Sequence, residues 1–260
     1  LYETTKYLNL VSCLLVFFQS VSIGSYKIKT SGFSAEKSVK MQISNKAVIN
    51  QSSQTPDIYY IILDGYGRSD ILKKYLDCDN SGFISFLEKK GFYVAKKSRS
   101  NYRITPYSLS SSFNMDYLRN MKIPTGDGSK DFSPMYELIE NNRVMRFLKS
   151  LGYRYVHFNS SSTITETNKH ADIYINTTGF YREFDEMLIN TTMLKGFGFN
   201  LFNENNRRRK ILLHNFDKLA EMPKIKGAKF VFAHFLMPHW PFLFDQNGNA
   251  QPEYKTKPIP

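Results

Sequence analysis

Cysteine is nearly absent from this chain: Cys13 and Cys78 are the two in 260 residues. Neither belongs to a Cys-x-x-Cys or Cys/His pattern, so the sequence carries no disulfide framework and no zinc-finger type of site. Cys13 lies in an apolar run and Cys78 in the polar turn Asp77-Cys78-Asp79, and the two are not expected to pair. Acidic residues are also few, 23 against 35 Lys and Arg, which leaves a formal charge of +12. Such a surplus invites a nucleic-acid reading, but the basic residues are scattered and no RNA- or DNA-binding signature accompanies them. The densest cluster, Arg207–Lys210, is expected to be a solvated helix face. A basic surface equally suits a protein that meets anionic lipid headgroups or phosphorylated substrates. Internal repeats and heptads are absent.

No apolar run reaches the roughly 20 residues of an unaided membrane span. The segment from Leu8 to Ile23 comes nearest, mostly apolar and without a charge. It could be a signal-peptide core, an amphipathic soluble helix, or the last membrane helix of a longer protein. The flank Tyr2–Lys6 is weakly basic and no clear Ala-x-Ala site follows, which argues against the first. A polar stretch rather than a fold comes next, which favours the third. The expected organisation is therefore the end of a transmembrane helix over residues 1–24 and a polar juxtamembrane linker over 25–55. One folded region then occupies 56–260.

What the chain does have, from Pro56 onward, is an alternation of strand and helix signals. Ile58–Leu63 is a dense apolar run that reads as a buried central strand. Asn80–Lys90 has helical spacing through Phe83, Phe86 and Leu87, and Gly91 stops it. Phe92–Ala95 reads as a short strand, Met135–Leu151 as one amphipathic helix, and Tyr153–Phe158 as a strand. Ile211–Met222 is a further helix and Lys229–Phe235 a buried strand. The pattern predicts an α/β fold with a largely parallel sheet sandwiched by helices. Such a sheet gathers its ligand-binding residues at the carboxyl ends of its strands.

Three such places carry reactive side chains. Asp64 ends the first apolar run and precedes Gly65 and Gly67. A carboxylate there is costly to bury unless paired, hydrogen-bonded or bound to a metal; the alternative is an Asp that caps the next helix, as Ser69 and Asp70 also could. The loop Ser98–Ser112 is rich in hydroxyls. Thr105, followed by Pro106, is placed to be the N-cap of a helix, where backbone N–H groups favour an anion, though Thr before Pro is also an ordinary cap. Third, Met237-Pro-His239-Trp-Pro241 sets one imidazole between two prolines, where it could donate a hydrogen bond to a bound oxyanion. His234 and His157, inside apolar strands, read as satisfied core histidines, with a supporting role behind the site open to His234. The polar run Ser160–Lys169 is uninformative by itself.

Taken together, Pro56-Asp-Ile-Tyr-Tyr-Ile-Ile-Leu-Asp64-Gly-Tyr, Ser98-Arg-Ser-Asn-Tyr-Arg-Ile-Thr105 and Phe230-Val-Phe-Ala-His-Phe-Leu-Met-Pro-His239-Trp-Pro-Phe resemble the sulfatase-like branch of the alkaline phosphatase superfamily. The nearest likeness is to membrane-anchored bacterial proteins related to lipoteichoic acid synthases and phosphoethanolamine transferases. The resemblance spans roughly Pro56 to Phe244. It implies that Asp64 is a metal-binding acid, that Thr105 is both nucleophile and metal ligand, and that His239 contacts the oxyanion of the substrate. It further implies a divalent cation (Mn, Mg, Zn or Ca), a membrane lipid or anionic cell-envelope substrate, no nucleic-acid partner, and a domain outside the cell membrane.

The sequence departs from that family in two ways. Sulfatases carry Cys or Ser in a C/S-x-P-x-R signature, whereas this loop reads Thr105-Pro-Tyr-Ser108. Formylglycine chemistry is thereby disfavoured and phosphoryl-type transfer through a threonine favoured. The remaining ligands the family uses, an Asp-His pair and a later His, are expected beyond Pro260, since no Asp-His dipeptide occurs in the chain. The expectation is thus the N-terminal portion of a sulfatase-like catalytic domain, inactive as it stands. Its complete form would be a metal-dependent transferase or hydrolase of phosphodiesters or sulfate esters. The alternatives are a phosphodiesterase or phosphatase of the same fold, and a non-catalytic module that binds anionic surface glycans.

Overall fold

A computed structural model of the chain describes residues 2–30, 33, 35, 55–121, 123, 131–177, 191–192 and 204–252. Helix α1 (Tyr2–Thr30) extends the apolar run at both ends. Its stretch Thr4–Ile28 is long and apolar enough to cross a membrane; at 1.5 Å per residue it spans about 38 Å, against a hydrocarbon core of about 30 Å. Tyr26 near its end donates to Asp131 at 2.9 Å, while Leu8, Val11, Leu15, Phe17 and Phe18 are all exposed among the described residues. A signal sequence has the same properties. The helix includes Ser25–Thr30, the first residues of the expected linker, and most of the rest of that linker lies outside the described residues.

Four parallel strands, β1 (Ile58–Leu63), β2 (Arg154–Phe158), β3 (Ile173–Ile175) and β4 (Lys229–Phe235), form a sheet in the order β1-β4-β2-β3. Helices α2 (Ser69–Leu76), α3 (Ser81–Lys89), α4 (Thr105–Asn114), α5 (Ser133–Glu140), α6 (Arg143–Ser150) and α7 (Glu204–Glu221) connect and flank them. The α/β class with a parallel sheet between helices is as the alternation predicts.

The central strand is β4, with all seven residues buried. Period-two alternation splits it between two cores. Phe230 and Phe232 point to the face covered by α4 and α6, where they meet Phe113, Met145, Leu148 and Tyr155. Val231, Ala233 and Phe235 point to the other face, against Leu212 of α7, Met222 and Leu243. The ring contacts are close: Phe113 lies 4.8 Å from Phe232 between centroids, and Phe216 stacks on Phe235 at 4.5 Å. Each fully buried aromatic or aliphatic side chain of this kind stabilises the fold by about 1.5–3 kcal/mol.

Several expectations need correction. β1 is not a buried central strand: among the described strands it pairs only with β4, and Tyr59 and Ile61 are exposed. Its apolar density reflects the inner face, where Tyr60 packs 5.5 Å from Phe113. Phe92–Ala95 has no strand partner among the described residues and is not a strand. The helix expected over Met135–Leu151 is two helices, broken at Asn141-Asn142. Asn142 makes the break: its Oδ1 accepts from Met145 N at 2.8 Å to cap α6, and its amide donates to Ile139 O at 2.8 Å to close α5. The Arg207–Lys210 run is not simply a solvated face either, because Arg207 is buried and Arg209 donates to the carbonyl of Gln251 at 2.8 Å.

Candidate active site

Because all four strands run parallel, their carboxyl ends share one edge, and that edge collects Asp64 after β1, Asn159–Thr165 after β2 and Leu236–His239 after β4. Side-chain alternation then decides which residues meet. Tyr60, Ile62, Phe230 and Phe232 face the α4 side of the sheet. Continuing the same parity along each strand puts Asp64 and His234 on that side too, beside the start of α4.

Thr105 is the first residue of α4, with Pro106 second; Ile104 occupies the N-cap. The expected capping role is therefore not the one it has. Instead its Oγ1 lies 3.5 Å from Asp64 Oδ2 as a long hydrogen bond. Asp64 is no cap either, since α2 starts at Ser69 behind Arg68. Its backbone N–H continues the sheet by donating to Phe235 O at 2.9 Å, which fixes the carboxylate at the strand end.

Asp64 is half-buried, and its carboxyl is held below the usual carboxylate range. The hydrogen bond from His234 is the largest cause; desolvation opposes it, and the nearby His234 and His239 rings and the Thr105 hydroxyl add to it. The carboxylate is thus ionised at neutral pH. His234 Nε2 lies 3.4 Å from Asp64 Oδ2, and its Nδ1 lies 2.8 Å from Thr165 Oγ1. His234 is both the satisfied core histidine and the residue behind the site.

His239 reaches the site through its backbone. Gly65 has φ +84°, and a Cβ on it would stand 3.0 Å from both Cα and N of His239. A glycine is needed there for the turn and for the close approach. His239 is exposed and its Nδ1 contacts the carbonyl of Trp240. A carbonyl only accepts, so Nδ1 holds a proton, and Nε2 is free to accept when neutral or to donate when the ring is charged. Asp64 and Thr105 therefore meet side chain to side chain, and the His239 main chain packs against Gly65 beside them.

Sequence reasoning missed Thr165 and Ser160, which stand in the run after β2 and are buried. Their one signal was position, just past the carboxyl end of a parallel strand. Beside the site, Tyr66, Gly67, Phe92, Tyr93 and Ser98 are among the residues lining a groove of about 780 Å³.

Asp64 and Thr105 offer a carboxylate and a hydroxyl, the oxygen donors that hard cations take. Among the described residues no group of three or more His, Cys, Asp or Glu stands together to hold a metal ion. The donors fit in kind and fall short in number. No family model matches the chain, and neither curated proteins nor solved structures yield a significant match.

Proposed function

We propose that Asp64 and Thr105 form the nucleophile corner of a sulfatase-like, membrane-attached transferase or hydrolase acting on phosphodiesters or sulfate esters. The observation that carries this reading is the meeting of Thr105 Oγ1 with Asp64 Oδ2 at the carboxyl edge of a parallel sheet. The resemblance of the three motifs to the sulfatase-like branch of the alkaline phosphatase superfamily supports it, and so does α1, whose length and composition suit a membrane anchor. With α1 in the membrane, that family places the domain outside the cell.

In this reading the Thr105 oxygen attacks phosphorus or sulfur. A bond from Thr105 to the transferred group forms as the bond to the leaving alcohol breaks, and the alcohol departs with the hydroxyl proton. An acceptor hydroxyl or water then attacks, takes the group and returns the proton to Thr105. Asp64 and Thr105 would hold a divalent cation, which when bound makes the hydroxyl more acidic and offsets charge on the transferred group. The first turn of α4 directs backbone N–H groups toward the anion. His239, with Nδ1 committed to Trp240, donates to an oxyanion through Nε2 in its charged form. The neighbouring groove gives the rest of the substrate room.

The test is turnover of a phosphodiester and a sulfate ester by the protein expressed from its whole gene, with and without Mn, Mg or Zn, beside Thr105→Ala. Metal-dependent turnover lost in the variant is expected; full activity in Thr105→Ala removes it as nucleophile. A second reading is a sulfatase-like module that binds anionic glycans without chemistry. Glycan binding unchanged by Thr105→Ala, with no turnover in either protein, would select it.

A further inference from the structure

Helices α2 and α3 are barely buried. Among the described residues Leu72 is the one buried residue of α2, and α3 has none. Tyr75, Leu76, Phe83, Phe86, Phe92 and Tyr93 are all exposed, Leu76 at 67 % and Tyr93 at 91 %. Exposed apolar residues are ordinary singly, whereas six large ones within nineteen positions mark a surface that meets something. Lys73 of α2, Leu87 of α3, and Phe92 and Tyr93 after it all line the groove beside the site, so these segments are neighbours.

The charge on the same stretch is one-sided. Residues 71–97 hold six lysines against Asp77, Asp79 and Glu88, a net charge of +3. Two of the acids are already committed: Asp77 pairs with Lys73 at 2.8 Å, and Asp79 accepts from the backbone N–H of Ser81 at 2.9 Å. The Lys74 ammonium stands 5.0 Å from the centre of the Tyr75 ring, and that of Lys90 5.8 Å from the centre of Phe86. Aromatic rings with ammonium groups beside them suit the boundary of a bilayer, where rings enter the headgroup layer and lysines meet anionic lipid. A second copy of the chain is a poor alternative, since a symmetric contact would oppose two faces of like charge.

A continuous run of contacts joins this face to the apolar helix α1. Tyr26, near the carboxyl end of the stretch Thr4–Ile28, donates to Asp131 at 2.9 Å. The adjacent Phe132 ring lies 5.6 Å between centroids from Tyr107, in the first turn of α4, and Tyr107 lies 6.2 Å from Tyr102. Ser98, in the same loop as Tyr102, accepts at 2.9 Å from Arg68, which precedes α2. We infer that α2, α3 and the segment Phe92–Lys97 are a second membrane contact, which docks on anionic lipid headgroups and turns the carboxyl edge of the sheet toward the bilayer. The inference rests on α1 crossing a membrane and not on the chemistry proposed for Thr105.

The experiment uses the full 260-residue chain in vesicles of phosphatidylcholine, with or without about one-third phosphatidylglycerol. The phosphatidylcholine carries bromine near its headgroup end, which quenches nearby tryptophan. In a Trp240→Phe background, Phe86→Trp and Tyr93→Trp report the patch and Phe17→Trp reports α1. Ser150→Trp, exposed at the end of α6 just ahead of β2, is the control at the opposite edge of the sheet. Phe17→Trp should be quenched in both vesicles and Ser150→Trp in neither. Phe86→Trp and Tyr93→Trp should lose most of their emission in the anionic vesicles only. Each lysine near such a surface favours the docked state about fivefold, so changing Lys74, Lys89, Lys90 and Lys96 together to Glu should abolish that loss. Raising NaCl to about 1 M, where the Debye length is about 3 Å, should restore much of the emission without touching the lysines. Full emission from Phe86→Trp and Tyr93→Trp in anionic vesicles overturns the inference, as does equal quenching with and without phosphatidylglycerol. Blue-shifted emission without quenching at these positions means that protein covers the patch, a second copy included, and overturns it too. Unquenched Phe17→Trp removes the anchor and the inference with it.

Discussion

Thr105 Oγ1 and Asp64 Oδ2 lie 3.5 Å apart across 41 residues of chain, joining the first turn of α4 to the end of β1. Neither side chain caps a helix, so the contact is not a by-product of local structure. Replacing Thr105 by Ala should reduce turnover about 10³-fold or more if its oxygen forms the covalent bond. Thr105→Ser should keep measurable activity, because the oxygen is retained. Thermal unfolding should hardly change in either variant, since the contact is long and half-exposed. Equal activity in the Ala and Ser variants would rule out a nucleophilic Thr105.

Gly65 sets the second half of the site. At φ +84° an L side chain is strained by about 1–2 kcal/mol. Its Cβ would also meet main-chain atoms of His239 at 3.0 Å, and main chain cannot swing aside. Gly65→Ala should therefore displace the His239 segment, and kcat should fall further than the loss of stability explains. Gly67→Ala is the control: its Cβ would meet the Leu72 side chain at 3.2 Å, whose flexible end can yield. The fluorescence of Trp240, the single tryptophan, should shift in Gly65→Ala and not in Gly67→Ala.

Acid should destabilise the protein in two windows. Burial pushes the His157 imidazole down to about 4, so between its ordinary value near 6.5 and about 4 the unfolded chain binds a proton the folded one does not. Stability rises with pH where the unfolded state holds more protons, so it should fall on acidification, by up to about 1.4 kcal/mol per pH unit. Asp64 is also depressed, so the stability it confers is present above its ordinary value of about 4 and is lost as pH falls through the folded value. His157→Gln should flatten the upper window and Asp64→Asn the lower. Urea unfolding at stepped pH, followed by circular dichroism, separates them.

The sequence disclosed those parts of the molecule in which one residue type dominates a whole element. β4 is apolar beyond its first residue except for His234, and its burial follows. Asp64 and His239 drew attention because each stands just past a strand beside glycine or proline; Thr105 drew it because Pro106 follows at the start of a helix, although the strand expected ahead of it is not there. β1 misled because apolar density signals burial without saying on how many faces; an edge strand with exposed Tyr59 and Ile61 reads the same as a central one. The break at Asn142 was hidden because apolar spacing runs through it, while the break depends on what an amide bonds to. β3, with three residues, is too short to leave a periodic signal. Thr165 was illegible for a different reason: its importance comes from His234, a residue 69 positions away.

The amino end of the sheet holds a buried ion pair whose test is independent of any function. Lys229 opens β4 with its side chain 2 % exposed, and its Nζ lies 2.5 Å from Asp57 Oδ2 and 2.9 Å from Ile225 O. Asp57, just before β1, also accepts from the Lys229 backbone N–H at 3.3 Å, so the pair ties the starts of two adjacent strands. Removing one partner of such a pair leaves a charge in a site that water barely reaches, whereas replacing both costs much less. Asp57→Ala should destabilise the fold by about 3 kcal/mol, a figure at the low end of the range because Asp57 is 27 % exposed. Lys229→Met, which fills the same space without charge, should cost less than about 1 kcal/mol. In the double variant the penalty of Asp57→Ala should largely disappear. Urea unfolding of all four proteins gives the coupling energy directly, and purely additive losses would show that the two charges do not depend on each other.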